Sequence, residues 1–154
     1  MFLSLACGGD GGGGTGPSGL TYPPLTDAVK TQYCVRGNTT VGQGGSGDVT
    51  AQDCDYADLD PAGGGYYEVW RVRVAQAATV TFTVSAPNFD SYLDVLQIDI
   101  VSGDIGTITP LGSDDDTNGD DPQLSLDLVP DTDYAIVISG FDYMEVGLYT
   151  LLIR

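Results

Sequence analysis

The chain has 154 residues, and its 22 acidic side chains against five basic ones give a formal net charge of −17. This balance excludes proteins that hold nucleic acid or anionic lipid through basic patches, and it favours divalent cations, basic partners or simply solubility. The sequence contains no histidine, so Ser–His–Asp and Cys–His catalysis and histidine-based zinc sites are excluded as well.

The chain begins with MFLSLAC, a short apolar run that ends in Cys7. This run resembles the end of a bacterial lipoprotein signal peptide, although no basic residue precedes it and Ser4 stands where leucine is usual. We interpret residues 1–7 as the remnant of such a signal and predict Cys7 as the lipidation site. The alternative is a chance apolar start with an unpaired cysteine.

Residues 8–27 are rich in glycine and proline, which predicts an extended tether. The folded domain is predicted to span residues 28–154. Nothing later in the chain approaches the 18 apolar residues of a membrane-spanning helix. The predicted link to the membrane is therefore the lipid anchor alone.

Two further cysteines, Cys34 and Cys54, lie twenty positions apart. A disulfide that closes this loop would stabilise the fold by about 3 kcal/mol in the chain-entropy description. Such pairs form in oxidising compartments, so the prediction also places the protein outside the cytoplasm, in the periplasm or at the cell surface. The alternative is two reduced, buried thiols.

After the tether come short runs of alternating apolar and polar residues, separated by Gly, Asp, Asn and Pro. The runs that predict strands are 66–74, 78–86, 91–100, 106–111, 123–129, 133–141 and 146–154. In the first of them, Trp70 falls on one face and Arg71 and Arg73 on the other, where we expect the arginines to pair with acids across strands. No window of ten residues has helical periodicity. About eight strands with short turns predict an all-β fold, an antiparallel β-sandwich or jelly roll.

From Gly47 onward the sequence resembles the bacterial pre-peptidase C-terminal (PPC) domain. The resemblance rests on four segments in order: DCDYADLDPAGGGYYEVWRVRV, APNFDSYLDVL, SDDDTNGDDPQLSLDL and DTDYAIVISGFDYMEVGLYTLLI. The stretch between Leu96 and Asp114 is longer than is usual for the family. The resemblance implies a non-catalytic β-sandwich module that assists secretion, surface attachment or substrate contact, and that binds calcium in some members.

The acidic segment SDDDTNGDD, residues 113–121, is the predicted metal site. Asp114, Asp116, Asn118 and Gly119 fit the first half of a calcium loop, in which oxygen ligands alternate and glycine permits a sharp bend. The second half fails, because Ser125 stands where a bidentate glutamate belongs. The alternative is an acidic hairpin held by Asp and Asn side chains that bond their own backbone.

A closing carboxylate for this calcium site would have to come from elsewhere in the fold. Asp90 is the first candidate, because the family resemblance pairs an aspartate at this position with the acidic turn. Asp94, Asp120 and Asp121 are weaker candidates. No other cofactor is predicted.

The residues predict a binding protein rather than an enzyme, because the carboxylate pairs lie on short turns without signs of burial. Our leading hypothesis is a lipid-anchored accessory subunit that docks on a larger envelope or membrane protein complex. The second is a cell-surface module for adhesion or carbohydrate and protein binding, with structural calcium. One interpretation of five aromatic residues is a sugar-binding platform, but the stronger expectation is that they pack in the core or at its edge. These residues are Tyr66, Tyr67, Trp70, Phe141 and Tyr143.

Overall fold

A computed structural model of the chain, described for residues 19–55, 65–119 and 121–154, forms two packed β-sheets. One helix precedes the strands: α1 (Asp27–Gln32). The strands are β1 (Val35–Thr39), β2 (Gly44–Val49), β3 (Cys54–Asp55), β4 (Tyr66–Val72), β5 (Ala78–Ser85), β6 (Ser91–Val101), β7 (Asp104–Asp114), β8 (Gln123–Leu128), β9 (Asp133–Gly140) and β10 (Gly147–Ile153). No helix among the described residues is long and apolar enough to cross a membrane.

The larger sheet has the strand order β1-β4-β9-β6-β7, with β3 paired to β4 beside β1. The smaller sheet has the order β2-β10-β5-β8. All pairs are antiparallel except β1 with β4, which run parallel. The predicted all-β sandwich is therefore confirmed.

The main core fills the space between the two sheets because strands alternate their side chains between faces. Val80, Phe82 and Val84 of β5 point into this core, in agreement with the alternation that predicted a strand over 78–86. From the opposite sheet, β9 contributes Tyr134 and Ile136. Every residue of β9 is buried, because this strand lies in the middle of a sheet that is covered on both faces.

A second apolar cluster covers the outer face of the larger sheet and includes Tyr67 and Val137. The segment before β1 lies over this face. Tyr22 and Leu25 are buried there, and the Thr26 amide donates to the Gly103 carbonyl in the turn between β6 and β7, at 3.0 Å. The sequence assigned these residues to the tether, but the structure places residues 20–27 in the fold, since the outer apolar face needs a cover.

The helix and the first three strands were not predicted individually. Helix α1 has only six residues, too few to show a periodicity, and begins after Thr26, whose hydroxyl accepts a hydrogen bond from the Val29 amide. Strand β2 reads GGSGDV, with few apolar residues to mark it. The described residues thus contain ten strands where the sequence indicated about eight.

Candidate functional site

The predicted disulfide is present between Cys34 and Cys54, whose Cα atoms are 5.7 Å apart. It joins the residue just before β1 to strand β3. A disulfide of this kind is typical of oxidising compartments, which supports an extracytoplasmic location. The predicted lipidation site, Cys7, lies outside the described residues.

At the predicted calcium site, the carboxylate of Asp114 is occupied by hydrogen bonds from the protein. Its Oδ2 accepts from the amides of Thr117, at 3.1 Å, and Gln123, at 2.7 Å. Its Oδ1 accepts from the Thr117 hydroxyl at 2.6 Å. Burial alone would raise the pKa of Asp114, but these hydrogen bonds to its ionised form outweigh burial and lower the pKa.

The other predicted ligands are spread around this turn. Asp116 and Asn118 are exposed, Asp90 is half-buried at the start of β6, and Gly119 makes the expected sharp bend with φ of +84°. Asp120 lies outside the described residues. In the described part of the chain, no three Cys, Asp or Glu side chains converge as a metal-binding group. Calcium binding therefore stays a prediction.

Asp121, the weaker candidate at the end of the segment, ties the turn to strand β5. Its carboxylate accepts from the Ser85 hydroxyl and from the Ala86 amide, both at 3.0 Å. These bonds pin the acidic turn against the loop between β5 and β6. The turn therefore has a defined position at one end of the sandwich.

That end of the sandwich, which we call the acidic end, is formed by the loops 50–53, 86–90, 115–122 and 141–146. The strand pairing brings these loops together, because Ser91 pairs with Gly140, Leu93 with Asp114 and Gly147 with Val49. Among the described residues, these loops carry no basic side chain and seven acidic ones, which are Asp53, Asp90, Asp115, Asp116, Asp121, Asp142 and Glu145. The acidic end is thus a concentrated source of negative potential.

Five large apolar side chains protrude from the acidic end, and we call them the apolar tip. Their exposed fractions are 53% for Phe141, 63% for Tyr143, 61% for Met144, 39% for Val146 and 56% for Leu148. Four of them belong to the loop between β9 and β10, and the fifth is on β10 next to it. Single exposed apolar residues are ordinary, but a cluster of five within eight residues is typical of an interaction surface.

The loop that carries the apolar tip is held in one conformation by its neighbours. The Phe141 amide donates to the Asp90 carbonyl at 2.9 Å, and the Asp142 amide donates to the Glu145 carboxylate at 3.1 Å. Gly147 packs so closely on the ring of Phe89 that a Cβ atom there would lie 2.8 Å from it. A loop already ordered in this way loses little conformational entropy when it binds a partner.

The architecture of the two sheets matches a known fold over most of the chain. The structure is similar to the pre-peptidase C-terminal domain of collagenase from Bacillus anthracis, with a TM-score of 0.52 and 12% sequence identity, over 77% of this chain and 93% of that domain. The chain shares the PPC-type β-sandwich fold.

Fainter likenesses extend to PliG, a periplasmic inhibitor of g-type lysozyme. The structures from Aeromonas hydrophila and Salmonella Typhimurium have TM-scores of 0.38 at 17% and 12% identity, over 77% of this chain and 96% and 99% of theirs. Likenesses of this degree carry no argument about function. No protein-family model matches the sequence, and no curated protein matches it.

In this PPC-type sandwich, the five aromatic residues considered for a sugar platform lie in two different environments. Tyr67 is buried on the outer face of the larger sheet, while Tyr66 and Trp70 pack against the main core. Phe141 and Tyr143 are exposed, and the Phe141 ring lies 6.3 Å from that of Tyr92. The expectation of core packing is confirmed for three of the five.

The sequence did not predict a buried series of hydrogen bonds that lies inside the sandwich. The Trp70 indole N–H donates to the Tyr149 hydroxyl at 2.8 Å, and this hydroxyl donates to the Glu68 carboxylate at 2.7 Å. Glu68 has a side-chain exposure of 0%, and the half-exposed Arg36 guanidinium lies 3.3 Å from its other oxygen. The alternation of β4 already puts Glu68 on the same inward face as Trp70, so the signal was available.

We expect Glu68 to make stability depend on pH. Burial raises its pKa above the usual range, although Tyr149 and Arg36 oppose this. Such a group favours the folded state at low pH, and this contribution is lost as the pH rises through the folded-state pKa. The Glu68→Gln variant has no titrating carboxyl at this position and does not lose this stability. The unfolding free energy of the variant minus that of the wild type should therefore increase from pH 4 to pH 7.

Chemical unfolding of both proteins across that range measures this difference. Glu145→Gln, at the only other glutamate in the chain, is the control for the general effect of replacing a glutamate. A difference that stays flat between pH 4 and pH 7 would contradict the assignment of Glu68 as a titrating interior group.

Proposed function

We propose that the protein is a non-catalytic, extracytoplasmic binding module that is anchored to a membrane through a lipid on Cys7. In this proposal it docks as an accessory subunit on a larger envelope or membrane protein complex. The observation that carries the proposal is the apolar tip, Phe141, Tyr143, Met144, Val146 and Leu148, which stands ordered and exposed at the end of the sandwich. The disulfide supports the extracytoplasmic part of the proposal.

The test of docking is co-purification of the tagged full-length protein from solubilised membranes. We expect a stable complex for the wild type and its loss in Phe141→Ser/Tyr143→Ser/Met144→Ser, because truncated apolar anchors at an interface commonly cost about 2 kcal/mol or more each. The matched control is Val101→Ser/Val129→Ser, which removes two exposed apolar side chains from the opposite end of the sandwich.

Retention of the complex by the triple variant would overturn docking through the apolar tip. Mass spectrometry of the same preparation tests the anchor separately. It should show an acyl modification on Cys7, and Cys7→Ala should release the protein from the membrane fraction.

A second candidate function is adhesion or carbohydrate binding at the cell surface, with structural calcium. The observation in its favour is the exposed aromatic pair Phe141 and Tyr143, with Tyr92 beside it. A glycan array would support it if Tyr143→Ala abolished the signal. If the wild type bound no glycan on the array, docking as an accessory subunit would remain the better-supported function.

Calcium belongs to the second candidate and has its own test. The carboxylates of Asp114 and Asp121 already accept hydrogen bonds from the protein, so a bound ion would have to displace some of these donors. If calcium binds at the acidic turn, millimolar calcium should raise the melting temperature, and Asp116→Ala should reduce that rise. An unchanged melting temperature at millimolar calcium would rule out this site for ordinary extracellular conditions.

A further inference from the structure

We propose that the apolar tip docks on a basic protein surface, and not on the membrane to which the chain is tethered. This inference rests on the proposed function and adds the chemistry of the partner. It follows from the charge around the apolar tip and from the place where the N-terminal segment joins the fold.

The apolar tip is surrounded by negative charge that no cation of its own loops balances. Asp142 and Glu145 stand between its apolar residues in the same loop, and Leu148 pairs across strands with Asp48. Behind them lie Asp90 and the acidic turn, on loops without a lysine or arginine among their described residues. A partner that covers the apolar tip must approach this field, so a rim of Lys and Arg around an apolar pocket would be complementary to it.

Four of the five basic residues of the chain have an acidic partner, and the fifth, Arg154, follows β10 at the opposite end of the sandwich. Arg71 and Arg73 pair with Asp133 on the outer face of the larger sheet, and Arg36 pairs with Glu68. Lys30 pairs with Asp27 in helix α1. None of the five cations lies in the loops of the acidic end. Lys30 and Arg36 line a pocket with Asp53 and offset the charge of this one acid, while the other acids of the acidic end repel anionic lipid head groups.

The N-terminal segment joins the sandwich at the opposite end. The Tyr22 hydroxyl donates to the Thr39 carbonyl, at the last residue of β1, and accepts from the Arg73 amide just beyond β4. Strand β4 runs from Tyr66, next to the acidic end, to Val72, a span of about 20 Å at the usual rise per residue. The described N-terminal segment therefore enters the sandwich at the end opposite to the apolar tip.

These observations favour one kind of binding partner for the apolar tip. A membrane would have to accept the acidic rim next to its own anionic head groups. A protein with an apolar pocket and a basic rim satisfies the apolar residues and the charge together. The acidic rim also predicts that association is fast and weakens with salt.

The experiment is a selection of peptides from a random display library on the purified full-length protein. We expect the enriched peptides to combine aromatic or aliphatic residues with a net positive charge. Synthetic copies, measured by fluorescence anisotropy, should bind Phe141→Ser/Tyr143→Ser/Met144→Ser at least about tenfold more weakly, while Val101→Ser/Val129→Ser keeps wild-type affinity. Raising the salt from 50 to 300 mM should weaken wild-type binding several-fold.

Three results would overturn the inference: peptides that are neutral or acidic, peptides that bind the triple variant as tightly as the wild type, or no enrichment at all. Co-sedimentation with phosphatidylcholine or phosphatidylglycerol vesicles that depends on the apolar tip would also overturn it, because the occupant would then be lipid. The proposed function is tested separately, because it predicts a complex that co-purifies from membranes whatever the charge of the enriched peptides.

Discussion

Replacing Asp133 with alanine is expected to lower the free energy of unfolding by about 3–5 kcal/mol, because it leaves a buried arginine without its counter-charge. The Asp133 Oδ1 lies 2.6 Å from the Arg71 guanidinium, and both side chains are almost completely buried. Its Oδ2 lies 3.5 Å from Nε of Arg73. A loss of this size is a large part of the total stability of an ordinary domain.

The loss should spread into the segment before β1, which Arg71 helps to hold. The Arg71 guanidinium donates to the Pro23 carbonyl at 3.0 Å and lies 5.4 Å from the centre of the Tyr22 ring. Urea unfolding gives the change in free energy, and Asp99→Ala, at an exposed carboxylate on β6, is the control with an expected change within about 0.5 kcal/mol. Equal stability of the Asp133→Ala and Asp99→Ala proteins would contradict the role of the buried pair.

Removal of the Cys34–Cys54 disulfide is the second large effect, with an expected loss of about 3 kcal/mol. The bridge joins residues twenty positions apart, and most of its effect is the restriction of the unfolded chain. Cys34→Ser/Cys54→Ser should unfold at correspondingly lower denaturant concentration. Dithiothreitol should destabilise the wild type by the same amount.

The double variant is also the control for the reductant, since it has no bridge between these positions to lose and its unfolding should not respond. A wild type that unfolds at the same denaturant concentration with and without dithiothreitol would contradict the prediction. That result would mean that the contacts between helix α1 and strand β1 hold this part of the chain without the bridge.

The sequence predicted the strands that alternate strongly and missed those that do not. Residues 78–86 separate Val80 and Phe82 from threonines, and β5 forms there with its apolar side chains inside. Strand β2 is glycine-rich because its neighbours leave no room for side chains. A Cβ atom on Gly45 would lie 2.5 Å from the Trp70 ring, and one on Gly47 would lie 2.1 Å from the Glu68 carboxylate. Because this close packing requires glycine, β2 lacks the alternating apolar residues by which a strand is recognised in a sequence.

The candidate site was only partly predictable for a similar reason. The pairing of Arg71 and Arg73 with an acid followed from their shared strand face and is confirmed. Residues 146–154 were predicted as a strand, and β10 forms there, but Leu148 is exposed, because the smaller sheet has an apolar partner on one side only. An apolar residue in the sequence does not reveal whether the fold covers it, so the apolar tip became visible only with the tertiary structure.

The position of β10 in the smaller sheet limits how this chain can fold during synthesis. This strand is the last of the described elements to leave the ribosome, yet it lies between β2 and β5 and bonds to both. Strand β2 is separated from it by about a hundred residues, so the sheet joins distant parts of the chain and is expected to form slowly. Until residues 147–153 have emerged, β2 has no hydrogen-bonded neighbour among the described strands, and the smaller sheet is incomplete. The smaller sheet can therefore be completed only after the last described strand has been synthesised.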